Sequence, residues 1–142
     1  MNFYLVIPAH NEEAFLTSTL QSLTEQTLLP KKIIVVNDNS SDGTQQILDS
    51  FSSKHAYIHS VTNTSEAKHA PGSKVINAFY KGLDILDGDY DVICKFDADL
   101  IFPPNYLEKI AEHFLRNKKC GMVGGFCYVE KNDEWVLESL TN

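Results

Sequence analysis

Short apolar runs, separated by polar stretches, predict a series of buried strands. Two of these runs are compact and rich in β-branched or aromatic side chains, Phe3 to Pro8 and Ile33 to Val36. Ala56 to Val61 is a weaker run, Asp91 to Phe96 is a fourth, and Met122-Val123 gives a short fifth candidate. Such near-continuous apolar runs are typical of strands buried on both faces of a parallel sheet.

Apolar residues at helical spacing lie between these runs. The four stripes, in chain order, are Leu16, Leu20 and Leu23; Thr44, Ile47, Leu48 and Phe51; Val75, Ile76, Phe79, Leu83 and Leu86; and Leu107, Ile110, Ala111 and Phe114. We expect Asn11 to cap the first helix, and Asp42 with Gln45 has capping-box spacing for the second. Thr62 to Gly72 is polar and predicts a loop. Alternating strands and helices predict an α/β fold, a three-layer α/β/α arrangement with a mostly parallel sheet.

Composition limits the domain organisation and the class of partner. The chain has 142 residues, which predicts a single domain over residues 1–142. Twelve Lys and Arg against nineteen Asp and Glu give a net charge of −7, which disfavours a nucleic-acid partner. The sequence has no signal peptide and no apolar run of ~18 residues that could span a membrane. The three cysteines predict buried thiols in a reducing compartment, so we expect a cytoplasmic segment.

Polar clusters follow three of the predicted strands directly. They are Pro8 to Glu12 after the first, Asn37 to Ser40 after the second, and Asp97 to Asp99 after the fourth. In an open α/β sheet, ligands bind at the carboxyl ends of the strands. We therefore expect all three clusters to line one binding site at the same sheet edge.

Several of these side chains have a chemistry that suits a phosphate-bearing ligand. Asp97 and Asp99 are separated only by Ala98, so both carboxylates can approach one Mg²⁺ or Mn²⁺ ion. Asp38 can accept hydrogen bonds from a ribose or a base. Lys74, at the start of a helix, is a candidate phosphate contact. His10 is a candidate ligand contact but not a metal ligand, because no second His has matching spacing.

Other nucleotide-binding and hydrolytic signatures are absent from the sequence. There is no GxGxxG after the first strand, no GxxxxGK[ST] and no GxSxG, which disfavours a dinucleotide oxidoreductase, a P-loop nucleotidase and an α/β-hydrolase. The run Ile33 to Thr44 is similar to the phosphoribosyl-pyrophosphate loop of phosphoribosyltransferases. That alternative has Asn37 in place of the first acid and leaves Asp97 and Asp99 unexplained.

Three motifs in series resemble family 2 glycosyltransferases with the GT-A fold. They are IPAHNEE (Ile7 to Glu13), VNDNSSDGT (Val36 to Thr44) and FDADL (Phe96 to Leu100). They are similar to the patterns P-x-[YH]-N-E, V-D-D-G-S-x-D-G-T and D-x-D, in that order and at similar spacing. GSKVINAFYKG (Gly72 to Gly82) resembles the family's stretch before the fourth strand, so the resemblance extends over essentially the whole chain.

This resemblance implies a nucleotide-sugar donor site. The backbone of Pro8, Ala9 and His10, with Glu12, would frame the nucleoside, and Asp38 would contact the base. Asp97 and Ala98 would lie near the ribose and the metal, and Asp99 would coordinate a divalent cation, Mg²⁺ or Mn²⁺, that bridges the diphosphate. The implied reaction is hexosyl transfer, with inversion, from a donor such as a UDP-sugar to a saccharide or lipid-linked acceptor.

The sequence departs from the family pattern in three places. Asn37 replaces the first acid of the second motif, Asn39 stands where Gly is common, and Leu100 follows D-x-D where an acid is frequent. Because family members continue beyond this length, we expect the general base and acceptor pocket to lie beyond Asn142 and the segment alone to be inactive. The whole protein would then act at the inner face of a membrane. The alternative is a non-catalytic nucleotide-sugar-binding module of the same fold.

Overall fold

The computed structural model describes residues 1–64 and 72–138, in two compact units, one from Met1 to Glu108 and one from Lys109 onward. The strands of the first unit are β1 (Phe3–Ala9), β2 (Lys32–Asp38), β3 (Ile58–Asn63) and β4 (Val92–Lys95). They form one parallel sheet in the order β3-β2-β1-β4. The helices are α1 (Leu16–Thr24), α2 (Thr44–Lys54), α3 (Ser73–Asp84) and α4 (Tyr106–Arg116), the last crossing into the second unit. The predicted α/β fold with a parallel sheet is confirmed. Within the described residues, no helix has the length and apolarity needed to cross a bilayer.

Both faces of the two central strands are buried, as the unbroken apolar runs predict. Every side chain from Phe3 to Ile7 and from Ile33 to Val36 is at most 3% exposed. Val6, Ile34 and Val36 form a cluster with Ala78 of α3, and Gly82 of the same helix lies against Val6 and Val36. A parallel sheet needs such cover on both faces, because its crossover helices pack there.

The predicted buried stripe of α3 is partly wrong. Val75 and Ile76 are 43% and 47% exposed, whereas the small residues Ala78 and Gly82 are buried. Small side chains let α3 approach the sheet closely, so the helix packs on the sheet through Ala78 and Gly82 and not through Val75 and Ile76. The predicted stripe of α1 is correct, since Leu16, Leu20 and Leu23 are fully buried.

Neither predicted helix cap forms. Asn11 adopts a left-handed conformation with φ 51°, and α1 begins only at Leu16, without a side-chain cap. Asp42 accepts hydrogen bonds from the backbone N–H and hydroxyl of Thr44, but Gln45 bonds to Asn37 and Asp49 rather than back to Asp42. In both places the polar side chains connect neighbouring loops instead of closing a helix end. β3 extends through Thr62 and Asn63 into the predicted loop, of which residues 65–71 lie outside the described residues.

The second unit contains a hairpin that the sequence interpretation missed. β5 (Tyr128–Lys131) and β6 (Glu134–Leu137) pair antiparallel, and Asn132 and Asp133 between them have φ 52° and 61°. Two consecutive positive φ values are the requirement of a type I′ hairpin turn, which Asn and Asp tolerate. The predicted strand at Met122-Val123 is wrong, since both residues lie outside any strand.

The cysteine prediction is also only partly correct. All three cysteines are free, but only Cys94, in β4, is buried, and Cys127 is exposed. Burial raises the pKa of the Cys94 thiol to about 12, so this group is unreactive near neutral pH.

Replacing Gly82 by Ala should destabilise the first unit. A Cβ at this position would lie 2.6 Å from Cγ1 of Val6 and 2.8 Å from Cγ2 of Val36. Overpacking of a closed core outweighs the better helix propensity of Ala, so we expect a loss of about 1–2 kcal/mol in the free energy of unfolding, measured by urea denaturation.

Gly88→Ala is the matched control, because no atom lies within 4 Å of the added Cβ and the backbone there does not require glycine. It should change the stability by less than ~0.5 kcal/mol. Equal effects of the two substitutions would contradict the close packing of α3 on the sheet.

Candidate functional site

An open pocket of about 630 Å³ lies in the first unit at the carboxyl ends of β1, β2 and β4. All the residues predicted for the binding site line it: Pro8, Ala9, His10, Glu12, Asp38, Lys74, Asp97, Ala98 and Asp99. The structure therefore brings together side chains that are up to 91 positions apart in the sequence, the separation of Pro8 and Asp99. Their individual roles in binding stay predictions.

The strand register explains this convergence. β1 and β2 end together, with Ala9 paired to Asn37, and Lys95 at the end of β4 pairs with Val6. From β1 the chain proceeds outward through β2 to β3, and then returns to β4 on the other side of β1. This reversal of strand order leaves a crevice beside β1, which is where ligands bind in open α/β sheets.

Polar side chains of α1 hold the turn that carries Asp97 and Asp99. The Thr19 hydroxyl donates to the carbonyl of Ala98 at 2.8 Å, inside the protein, and the Ser22 hydroxyl accepts from the N–H of Phe102 at 3.1 Å. Further along, the Gln26 side chain donates to the carbonyl of Pro103. Thr19 and Ser22 lie beside the apolar stripe of α1, and Gln26 follows the end of the helix.

A second set of hydrogen bonds joins the loop after β1 to the loop after β2. The N–H of Asn11 donates to the Ser40 hydroxyl at 3.0 Å, and the Asn11 side-chain oxygen accepts from the N–H of Ser41 at 2.8 Å. The N–H of Glu12 donates to the Thr44 hydroxyl at 3.0 Å. We call this set the loop clasp. Its hydrogen bonds hold one wall of the pocket in place, and the groups that form them are not the groups that face the pocket.

His10 and Asp38 are also connected in this wall. Nδ1 of His10 lies 2.6 Å from the carbonyl oxygen of Asp38, so Nδ1 carries the proton and donates. The Asp38 side chain is 5% exposed, and Oδ1 accepts from the Asn63 amide at 3.2 Å. Asn37, which replaces an acid of the family pattern, donates to Gln45 of α2 at 2.8 Å and accepts from the N–H of Ser40. Its amide therefore connects β2 to α2.

Negative charge dominates the pocket. Of the residues that the structure describes, four carboxylates line it against two lysines, Lys74 and Lys95. Burial raises the pKa of Glu12, and the negative charges of Asp99, Asp42 and Asp97 raise it further, whereas His10 opposes the shift. Burial is the larger cause of the raised pKa, and the neighbouring carboxylates add a repulsion that a bound cation would relieve.

The residues of the pocket are suited to a divalent cation whose coordination is completed by a bound substrate. Within residues 1–64 and 72–138, no group of three His, Cys, Asp or Glu side chains is placed to bind a metal without further ligands. Asp97 and Asp99 supply two hard carboxylates in one pocket wall. One or two carboxylates completed by substrate phosphates and water is the usual arrangement for Mg²⁺.

Five pocket residues were not predicted from the sequence: Gly72, Val75, Ile76, Ala78 and Lys95. The sequence does indicate Lys95 as a pocket residue, because it stands two positions before Asp97 at the end of a strand. Val75 and Ile76 were assigned to the core, and they are exposed at the pocket because α3 packs on the sheet through Ala78 and Gly82. Gly72 adopts φ 90°, which only glycine reaches readily.

Substitution of Asn11 should separate its two contributions to the loop clasp. Asn11→Ala removes the hydrogen bond to Ser41 and also forces Ala into the left-handed region, so we expect a loss of about 2–3 kcal/mol in the free energy of unfolding. Asn11→Gly keeps the conformation accessible and should cost about 1 kcal/mol. Urea denaturation measures both, and a smaller loss for Ala than for Gly would contradict the role of the backbone conformation.

Comparison with known proteins gives consistent matches. The family model described as "Glycosyl transferase family 2" matches residues 4–141. The probable glycosyltransferase YdaM of Bacillus subtilis is 36% identical over 129 residues, which cover 85% of this chain and 28% of YdaM. The chain thus spans less than a third of the length of this relative.

Solved structures show the same fold. TarS 1-349 of S. aureus, in complex with UDP, superposes with a TM-score of 0.67 at 24% identity, over 82% of this chain and 32% of the TarS 1-349 chain. The mannosyltransferase PcManGT of Pyrobaculum calidifontis, in complex with GDP-Man and Mn²⁺, superposes with a TM-score of 0.53 at 18% identity, over 72% of this chain and 28% of that one. The fold is that of the GT-A glycosyltransferases.

The family match favours the glycosyltransferase interpretation over the phosphoribosyltransferase alternative. It extends over nearly the whole chain, and it includes the three motifs whose side chains line the pocket. The chain belongs to glycosyl transferase family 2.

Proposed function

We propose that the protein transfers a sugar from a nucleotide-diphosphate donor to an acceptor hydroxyl, and that the pocket at the carboxyl ends of β1, β2 and β4 binds the donor. The observation that carries this proposal is the convergence of three separate loops on one pocket of about 630 Å³. A UDP-sugar is the favoured donor, because TarS 1-349, which has a similar fold, has been crystallised in complex with UDP and with UDP-GlcNAc.

The nucleoside is proposed to lie against the wall formed by the loop clasp. The backbone of Pro8, Ala9 and His10 would frame it, and the Asp38 carboxylate would accept a hydrogen bond from the base. Asp38 suits this task because it is almost completely buried and one of its oxygens is already held by Asn63. A fixed acceptor loses little entropy when a ligand binds.

The diphosphate is proposed to lie beside Asp97 and Asp99. These carboxylates would hold a divalent cation, Mg²⁺ or Mn²⁺, and Lys74 would contact a phosphate from the α3 side of the pocket. The bound cation would act as a Lewis acid that stabilises the negative charge on the departing nucleoside diphosphate. Asp99 is the proposed ligand of the cation, with Asp97 beside it and close to the ribose.

Inversion at the anomeric carbon is the proposed stereochemistry, with a saccharide or a lipid-linked molecule as acceptor. An inverting reaction needs a general base within hydrogen-bond reach of the acceptor hydroxyl. We name no base among residues 1–142. Because the chain spans 28% of YdaM and 32% of TarS 1-349, these statements concern the whole protein of which the donor pocket is one part.

The test of the donor site is titration calorimetry with UDP, in Mn²⁺ and in EDTA. We expect binding in Mn²⁺ that weakens at least ~10-fold in EDTA, because two carboxylates next to a diphosphate repel it unless a cation intervenes. Asp99→Asn should weaken the binding of UDP in Mn²⁺ by ~10-fold or more, and in EDTA it should strengthen the binding modestly, because one of the two repelling carboxylates is gone.

Asp84→Asn, at the exposed end of α3, is the control for removal of one negative charge. It should bind UDP like the unmodified protein. Binding of UDP that is equally strong with and without Mn²⁺ would contradict the proposed cation, and no binding by the folded protein would contradict the proposed donor site.

A further inference from the structure

Lys95 occupies a position that the proposed donor site does not explain. It is the last residue of β4, it lines the pocket, and its Nζ donates to Oδ1 of Asp97 at 2.7 Å. The side chains of Lys95 and Asp97 are 37% and 60% exposed, so the ion pair stands at the pocket surface, open to solvent. One of the two carboxylates of the D-x-D motif thus has an ammonium group of the protein as its neighbour.

A divalent cation held by Asp97 would share this carboxylate with the ammonium group of Lys95. A carboxylate oxygen that accepts a short hydrogen bond from an ammonium group is a poorer ligand, because the lone pair that would bind a metal is engaged. The positive charge of Lys95 also repels a divalent ion a few ångströms away. Among the described residues, four carboxylates and two lysines line the pocket, so Lys95 is a substantial part of the positive charge that these residues supply.

We propose that Lys95 competes with the divalent cation for Asp97, so that the protein's own ammonium group neutralises this carboxylate until the metal and donor arrive together. This inference rests on the proposed function, since it assumes that Asp97 and Asp99 hold the cation. It assigns to Lys95 the regulation of that site rather than a step in the reaction.

The consequence is that the donor's charge decides which cation Asp97 accepts. Without the nucleotide, Lys95 keeps the affinity of the pocket for the metal low. The diphosphate adds negative charge beside the carboxylates, which favours the divalent ion over the monovalent ammonium group. The Lys95 side chain, released from Asp97, remains in the pocket where the phosphates carry compensating charge.

Two other roles for Lys95 predict a different change in the affinity for the metal when Lys95 is removed. If the ion pair only held Asp97 in a geometry ready for the metal, removal of Lys95 would weaken the binding of the metal. If the ion pair were a surface contact with no connection to the site, removal would leave that binding unchanged. Competition alone predicts that removal strengthens it.

The experiment is a titration of the nucleotide-free protein with Mn²⁺, followed by electron paramagnetic resonance of the free ion. Lys95→Met removes the charge and keeps most of the side-chain volume. We expect it to bind Mn²⁺ about two- to fivefold more tightly, the size that an exposed ion pair allows. Lys95→Arg keeps the charge and should remain within ~2-fold of the unmodified protein. Lys95→Gln is a second neutral variant in case Lys95→Met does not fold.

Lys31→Met is the matched control. Lys31 forms an ion pair with Asp89, away from the pocket, and the two side chains are 43% and 70% exposed, close to the values for Lys95 and Asp97. Its removal should not change the binding of Mn²⁺. Unchanged, weaker or undetectable Mn²⁺ binding in folded Lys95→Met and Lys95→Gln overturns the inference.

The same protein preparations separate this inference from the proposed function. If the unmodified protein binds UDP in a Mn²⁺-dependent manner but its affinity for Mn²⁺ alone does not rise when Lys95 is removed, only the role of Lys95 is wrong. If the unmodified protein binds UDP equally well with and without Mn²⁺, the proposed cation is wrong and the role of Lys95 is lost with it, and if it binds no UDP at all, the donor site itself is wrong.

Discussion

The pairing of β1 with its two neighbours is the constraint on which the candidate site depends. β1 lies between β2 and β4, and its parallel register places the ends of all three strands at one edge of the sheet. A shift of one residue in this register would exchange the side chains on the two faces of the sheet, and the close packing of Gly82 on Val6 and Val36 opposes such an exchange. The paired strands therefore fix where the loops that line the pocket begin.

Negatively charged side chains are concentrated at this edge of the sheet, and the apolar core supplies no positive charge to balance them. Burial and three neighbouring carboxylates raise the pKa of Glu12, and Asp97 has Lys95 as its counter-ion. Such an arrangement is unfavourable for stability when the pocket is empty, and proteins keep it where function requires it. In the account given above, the unfavourable charge becomes favourable when a cation and a diphosphate enter together. Before the cation and the diphosphate bind, the ion pair with Lys95 reduces the repulsion among the carboxylates.

The sequence predicted most of the elements and all of the convergence, because strand burial and loop position follow from local patterns. It did not predict which face of α3 is buried, since Val75 and Ile76 fit a buried stripe as well as Ala78 and Gly82 do, and only packing against Val6 and Val36 decides between them. It assigned Asn11 to a helix cap, whereas the structure uses this residue between two loops that are distant in the sequence. Contacts of this kind depend on tertiary geometry, which no local pattern encodes.

The most direct test of the account is the position of the cation in a crystal of the protein grown with UDP and Mn²⁺. Anomalous scattering locates manganese independently of the rest of the structure. We predict one anomalous peak within coordination distance of Asp99, at ~2.0–2.2 Å from a carboxylate oxygen, with the UDP diphosphate on its other side and the uracil near Asp38. An anomalous peak elsewhere, or UDP bound outside the pocket lined by Asp38, Asp97 and Asp99, would contradict it.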